Sequence, residues 1–239
     1  MTRKYTSFAD EDAKALLNQL IERSTTVTVY REAMYNLGYE IGTLIVKLKA
    51  NKNSELLIAC TVEDADYLAK GILDVAENTN SFRDVRLACF WNERIVLVDG
   101  SLSAAPIIKR YFEPLLPNSR YIFVIVKSIV ATGCVVRTNL QNLIQDIKPE
   151  SIIVASPVML EGADLLLKSE FLPEISNKFE FLTYAVDDIL TKDGNIDPGI
   201  GGNVYDRLGF NSQKNKNQFI PELVKRRRQQ FKQEMIATV

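Results

Sequence analysis

Apolar residues recur along this chain in two rhythms, and their alternation predicts an architecture. Behind Asp10, the positions Ala13, Leu16, Leu17, Leu20 and Ile21 share one face at helical spacing, and Asp10 is placed to cap that helix. Met34, Leu37, Ile41, Leu44 and Ile45 repeat the pattern, predicting a second helix from about Val29 through Lys49. After the polar break "ANKNSE" the apolar runs become short and continuous. "LLIAC", "VRLACFW", "RIVLVDG", "YIFVIV", "SIIVASPVM" and "FEFLTYAV" read as strands. Between them "DADYLAKGILDVA", "VVRTNLQNLIQDI" and "GADLLLKSEFL" carry helical spacing. Strands that are apolar throughout and alternate with helices imply an α/β fold with a parallel sheet covered on both faces. Ligands of such sheets sit at the carboxyl ends of the strands.

The rhythm changes near the end of the chain. "NKNQFIPELVKRRRQQFKQEMIATV" opens on a polar break, Pro221 is suited to the first turn of a helix, and Lys225 to Arg228 form a basic run. The expected division is an α/β domain over residues 1–210 and a basic helical tail over 211–239. The run reads as a solvated helical face or as a docking helix for a partner or sister subunit. Sparse aromatic residues argue against nucleic-acid binding.

Composition narrows the chemistry. The chain has 239 residues, 46% hydrophobic and 25% charged, and a net charge of −1, so no global field draws it to nucleic acid or anionic membrane. It contains no histidine, which removes histidine metal sites and every histidine-dependent triad. Cys60, Cys89 and Cys134 are scattered and odd in number, the pattern of reduced thiols rather than a disulfide framework. No apolar run reaches the length of a membrane span, and the opening residues lack the apolar region of a secretion signal. The expected location is cytoplasmic.

The stretch "YIFVIVKSIVATGCVVRTNLQNL" joins a buried strand, a small-residue turn and a helix start. Small residues let backbone N–H groups approach an anion, and the following helix directs its positive end there. A tight strand-to-helix turn without a ligand fits the same residues. Further on stands "DGNIDPGIGGNVYDRLGF". Together these segments resemble the two hallmark loops of the uracil phosphoribosyltransferases. "STTVTVYREAMYNLGYEIG", "LLIACTVEDADYLAKGIL", "IIVASPVMLEG" and "FLTYAVDD" are similar to intervening family segments in the right order, from about Leu16 to Phe210.

The resemblance implies a parallel-sheet phosphoribosyltransferase-like core with a small hood and extra helices at both ends. It implies a family reaction joining uracil to phosphoribosyl pyrophosphate with magnesium, and a dimeric habit. It places a 5′-phosphate at Ala131, Thr132, Gly133, Cys134 and Val135, and a base at Ile196 and Gly201 with Ala131 closing one side. Departures matter more. Cys134 and Val135 replace a glycine and a hydroxyl residue, and Asn195 replaces a tyrosine. Lys127 stands where the family has its ribose-binding aspartate. Glu63 and Asn92 stand where it has arginines that grip pyrophosphate. Two unit charges about 4 Å apart interact by roughly 4 kcal/mol at an effective dielectric of about 20, so reversing the clamp works strongly against a diphosphate.

The leading expectation is therefore a catalytically silent member that binds a UMP-like nucleotide, phosphate or a protein partner, with no cofactor and with magnesium relevant only to turnover. A working enzyme would need Arg94, Lys109, Arg110 or Arg137 as the clamp and Asp187, Asp188 or Asp206 on the ribose. A purely structural subunit is the third reading. A further reading pairs Glu63 and Lys127 with each other across adjacent strand ends, closing the old site.

Overall fold

A computed structural model describes residues 3–96, 103–116, 119–192 and 194–237. β1 (Lys4–Tyr5) leads to α1 (Glu11–Ile21), α2 (Val27–Lys49) and β2 (Asn51–Thr61). A π-helical turn (Ala65–Ala69) runs into α3 (Lys70–Asn78) and is followed by β3 (Phe82–Asn92). The antiparallel pair β4 (Ile95–Val96) and β5 (Ser103–Ala104) precedes β6 (Ile107–Phe112). β7 (Tyr121–Val126), β8 (Ile129–Val130) and α4 (Cys134–Ile144) come next, then β9 (Pro149–Ala155), β10 (Val158–Leu160), α5 (Ala163–Ser169) and α6 (Pro173–Ser176). β11 (Phe179–Leu182), β12 (Ala185–Asp187), β13 (Ile189–Leu190) and β14 (Ile196–Asp197) lead to α7 (Val204–Arg207), α8 (Gln213–Gln218) and α9 (Glu222–Ala237).

Six strands form the central sheet in the order β11-β9-β7-β2-β3-β6, parallel except for β6 at the edge. The α/β fold with a largely parallel sheet is the one that the apolar runs imply. Its strands are apolar on both sides because helices cover both sides. In β2, Leu56, Ile58 and Cys60 join the core under α1, α2 and α3, while Leu57 and Ala59 join the core under α4 and α5. Asp10 caps α1 as expected, its carboxylate accepting the Ala13 N–H at 2.8 Å.

Three differences from the sequence reading shape the site. First, "IIKRYF" forms edge strand β6, which the apolar runs did not reveal because it alternates half-buried and exposed positions. Second, "RIVLVDG" yields only β4; residues 97–100 lie outside the described ones. Third, the expected long strands "SIIVASPVM" and "FEFLTYAV" each break. β7, β9 and β11 all stop, pass through two buried or half-buried residues, and resume as β8, β10 and β12 in a separate small sheet closed by β1. The break residues are Lys127-Ser128, Ser156-Pro157 and Thr183-Tyr184, a polar belt across the middle of the fold. Each break is held by its neighbour: the Lys127 N–H donates to Ala155 O and the Ser156 N–H to Leu182 O, at 3.1 and 3.0 Å.

The tail also departs from expectation. Leu223 and Val224 of α9 are buried in the same core as α1 and α2. Arg227, inside the basic run, is buried rather than solvated. Its guanidinium grips Glu113 at 2.6 and 2.8 Å, reaches Glu77, and donates to Val85 O at 3.0 Å. Lys225 and Arg226 alone are exposed in the run, since the Arg228 guanidinium lies over the Tyr111 ring. The basic tail thus docks on its own domain.

α2 and α3 cross at two glycines. A Cβ on Gly71 would meet the backbone of α2, at Tyr35 O, at Tyr39 N (2.6 Å) and at Gly38 C (2.8 Å). Backbone cannot yield as a side chain can, so Gly71→Ala is expected to cost about 2 kcal/mol. For a chain of this size that lowers the melting temperature by roughly 4–8 °C. An unchanged melt would show the crossing to be looser than described.

Candidate functional site

The strand breaks bring unlike charges together. β7 delivers Lys127 and Ser128 into the interior, opposite Glu63 and Asp64, which follow the end of β2. The Lys127 ammonium lies 3.1 Å from Glu63 Oε1 and 2.9 Å from Asp64 Oδ2. Asp64 Oδ2 also accepts from Thr61 Oγ1 at 2.8 Å and from the Ser128 N–H at 3.3 Å. Lys216 of α8 completes the cluster, 3.8 Å from Glu63 Oε2 and donating to Asn92 O at 2.8 Å. Exposure is 3% for Glu63, 1% for Asp64, 8% for Lys127 and 1% for Lys216, so these two acids and two amines neutralise one another out of water.

Their titration follows from that enclosure. Burial works against ionisation of Glu63, but Lys127 and Lys216 outweigh it and hold the carboxyl down at about 2. Burial likewise opposes charge on Lys127, yet Asp64 and Glu63 raise its pKa above the ordinary lysine value. Lys216 goes the other way: burial first, then repulsion from Lys127 and Arg94, lowers its pKa despite the pull of Glu63.

Beside this cluster, β8 and α4 build a small cleft. Gly133 caps α4 at φ 71°, a left-handed conformation that side-chain-bearing residues rarely adopt. The cleft measures about 80 Å³ and is lined by residues 129–136, Arg94, Lys127, Asn195, Ile196 and Tyr205 among others. That is well below the roughly 300–1,000 Å³ of pockets enclosing a drug-sized ligand, so it suits a small group such as a phosphate. Arg94 is steadied from α8, where Gln213 accepts its N–H at 3.0 Å and donates to its carbonyl at 3.3 Å.

The hood is strapped down from below. Asp187 pairs with Arg3 at 2.7 Å and accepts the Gly199 N–H at 2.9 Å. The Tyr30 hydroxyl donates to Ile200 O at 3.0 Å, and Arg207 donates to Leu20 O at 2.8 Å while its guanidinium lies over the Tyr30 ring.

Of the positions singled out from sequence, Ala131, Thr132, Gly133, Cys134, Val135 and Ile196 meet at the cleft. Gly201 is not among its lining residues; it packs against the end of α1, where a Cβ would strike Leu20 O. Glu63 and Lys127 pair as described. Asn92 forms a reciprocal amide pair with Asn139, at 2.8 and 3.1 Å, and donates to Ala105 O. The substitutes a working enzyme would need are mostly engaged: Arg110 with Asn142, Arg137 with Glu170, Asp187 with Arg3, and Lys109 over the Trp91 ring. Asp206-Arg207 is no ion pair, since Arg207 serves the α1 carbonyls instead.

Sequence reasoning missed Lys216 and Tyr205. Lys216 sits in "NSQKNKNQF", a polar run whose lysines give no sign that one of them is buried. Among the described residues no group of three or more His, Cys, Asp or Glu side chains is placed to hold a metal ion. No described helix is long and apolar enough to cross a membrane.

Comparison with known proteins supports the fold. The structure of the AQ2163 protein from Aquifex aeolicus superposes with a TM-score of 0.67 at 17% identity, over 85% of this chain and 97% of that one. TT1426 from Thermus thermophilus matches with a TM-score of 0.44 at 12% identity, over 78% and 95% of the two chains. A hypoxanthine phosphoribosyltransferase from Staphylococcus aureus matches with a TM-score of 0.38 at 16% identity, over 62% and 73%. The first shares the α/β fold; the other two overlap too partially to carry an assignment. No protein-family model and no curated protein matches the chain.

Glu63 yields a signed pH prediction. Its folded value of about 2 lies below the ordinary 4.5, so the folded state binds fewer protons. The stability it confers is whole above about pH 4.5 and drains away as pH falls toward about 2. Glu63→Gln leaves a buried amine underpaired and is expected to cost about 3 kcal/mol at neutral pH. Urea unfolding across pH 2–7 should show the variant with a flatter acid limb than the wild type. Parallel limbs would mean that Glu63 is not held ionised.

Proposed function

We propose that this chain is a catalytically silent relative of the uracil phosphoribosyltransferases that holds the phosphate of a UMP-like nucleotide in the α4 cleft. It acts by binding, in a regulatory or structural role. One observation carries the reading. Lys127 and Glu63, at positions that resemble the family's sugar anchor and pyrophosphate clamp, are bonded to each other inside the protein, while the small-residue turn beside them stays open. A diphosphate therefore meets a neutralised cluster instead of a waiting cation.

The open side still suits an anion. Arg94 and Lys127 line the cleft together with Gly133 and the first residues of α4, and the N-terminal end of a helix carries unpaired N–H groups and partial positive charge. A docked partner or sister subunit is compatible with this role, but α9 supplies less free surface for it than the basic run implied, because Arg227 is committed internally. An active enzyme is the weaker reading, with Arg110, Arg137 and Asp187 already engaged and only Arg94 at the cleft among its named substitutes.

Two measurements test the proposal. Purified protein given uracil, phosphoribosyl pyrophosphate and magnesium should form no UMP above the uncatalysed background; robust formation contradicts it. UMP should raise the melting temperature, and Arg94→Ala should weaken UMP binding by about tenfold, the scale of one charge-assisted hydrogen bond. Equal affinity in R94A would remove Arg94 from the site.

A further inference from the structure

A site that selects one base needs donors and acceptors fixed in place and unpaired until the base arrives. In the hood, main-chain groups that could do this are spent on the protein itself. The Gly199 N–H donates to Asp187 Oδ2 at 2.9 Å, and the Gly199 carbonyl accepts from the Arg3 guanidinium. The Ile200 carbonyl accepts the Tyr30 hydroxyl at 3.0 Å, and the Gly201 N–H donates to Pro198 O at 3.1 Å. The Ile196 carbonyl lies so close to Gly199 that a Cβ there would strike it. Asn195 is tied to Thr191, its N–H donating to Oγ1 at 3.1 Å and its carbonyl accepting the N–H at 2.8 Å. Tyr30 and Asp187 are buried, so a base would have to displace an internal partner to reach the groups they hold.

The hood side chains that line the cleft supply no fixed pattern in their place. Asn203 is engaged with the Tyr205 N–H at 2.8 Å. Ile196 and Val204 are apolar and meet the face of any base alike. The Asn195 carboxamide and the Tyr205 hydroxyl each donate or accept according to how they turn, so they serve the edges of different bases equally. A cleft of about 80 Å³ takes in one phosphoryl group and leaves the rest of its ligand outside. The phosphoryl group itself meets the fixed charge of Arg94 and the start of α4.

We infer that the cleft selects a phosphate monoester and not a base: it takes 5′-phosphates of pyrimidine nucleosides, of purine nucleosides and of a bare sugar alike, with UMP one member of that class. The inference rests on the phosphate-binding reading above and adds to it the class of ligand. It concerns selectivity alone and holds whether or not any turnover remains.

Calorimetric titration with UMP, AMP, ribose 5-phosphate and uridine tests it. The three phosphates should bind with affinities within about threefold of one another, and uridine at least about tenfold more weakly than UMP. Arg94→Ala should weaken all three phosphates by the same factor of about ten, because each presents the same group to it. A preference for any one phosphate larger than about threefold, or an Arg94→Ala loss confined to one of them, overturns the inference while sparing the phosphate site. Uridine bound as tightly as UMP, or no binding by any of the four, overturns the phosphate-binding reading and the inference with it.

Discussion

A lysine held between two carboxylates, away from water, is the constraint on which this structure turns. Lys127 reaches Glu63 and Asp64 only because β7 stops before it and resumes after Ser128. The same break lets the Ser128 N–H join in on Asp64. Burying one charge alone would cost several kcal/mol, and removing one partner of such a pair typically costs about 3–5 kcal/mol. The cluster therefore behaves as a unit: Glu63 and Lys127 each hold the other in its charged form. Lys216 is the exception that defines the limit, since burial, and after it the neighbouring Lys127 and Arg94, lower its pKa.

Function follows from where that unit sits. In an open parallel sheet the carboxyl ends of the strands are the natural place for a ligand. Here that end is divided. One part is occupied by the cluster; the other is the small cleft at the start of α4, which Lys127 also lines. The hood above is not free to reorganise the floor, because Arg3, Asp187, Tyr30 and Arg207 tie it to β1, β12, α1 and α2. Under the proposed function, this division favours recognition of a small anion over the charge rearrangements of a transfer reaction, whose transition state needs donors left uncommitted beforehand.

Much of this was legible in the sequence, for physical reasons. The buried strands announced themselves because residues covered on both faces must be apolar on both, as in "YIFVIV", whose six positions are all buried. Helix α1 was legible from its cap and its face. The turn at Gly133 could be placed because few residues other than glycine accept its backbone. Even the pairing of Glu63 with Lys127 was an open possibility, since like-numbered strand ends lie side by side in a parallel sheet. What could not be read were features fixed by tertiary contact. Nothing in "KNK" distinguishes the buried Lys216 from its exposed neighbour Lys214, and nothing in "KRRR" marks Arg227 as the one that finds Glu113. The strand breaks escaped notice because Ser-Pro and Thr-Tyr are short and flanked by apolar residues, so hydropathy runs straight across them. Gly201 was placed by resemblance in the base site but serves close packing on α1.

The most direct test of the account is a double-mutant cycle between Glu63 and Lys127, using Glu63→Gln, Lys127→Met and the pair together in urea unfolding at neutral pH. If the two side chains neutralise one another in the interior, the double variant should be more stable than the sum of the single losses implies, by about 1–3 kcal/mol of coupling. Strictly additive losses would mean that the charges do not sense each other, and the proposal that this pair leaves no free cation for a diphosphate would fall.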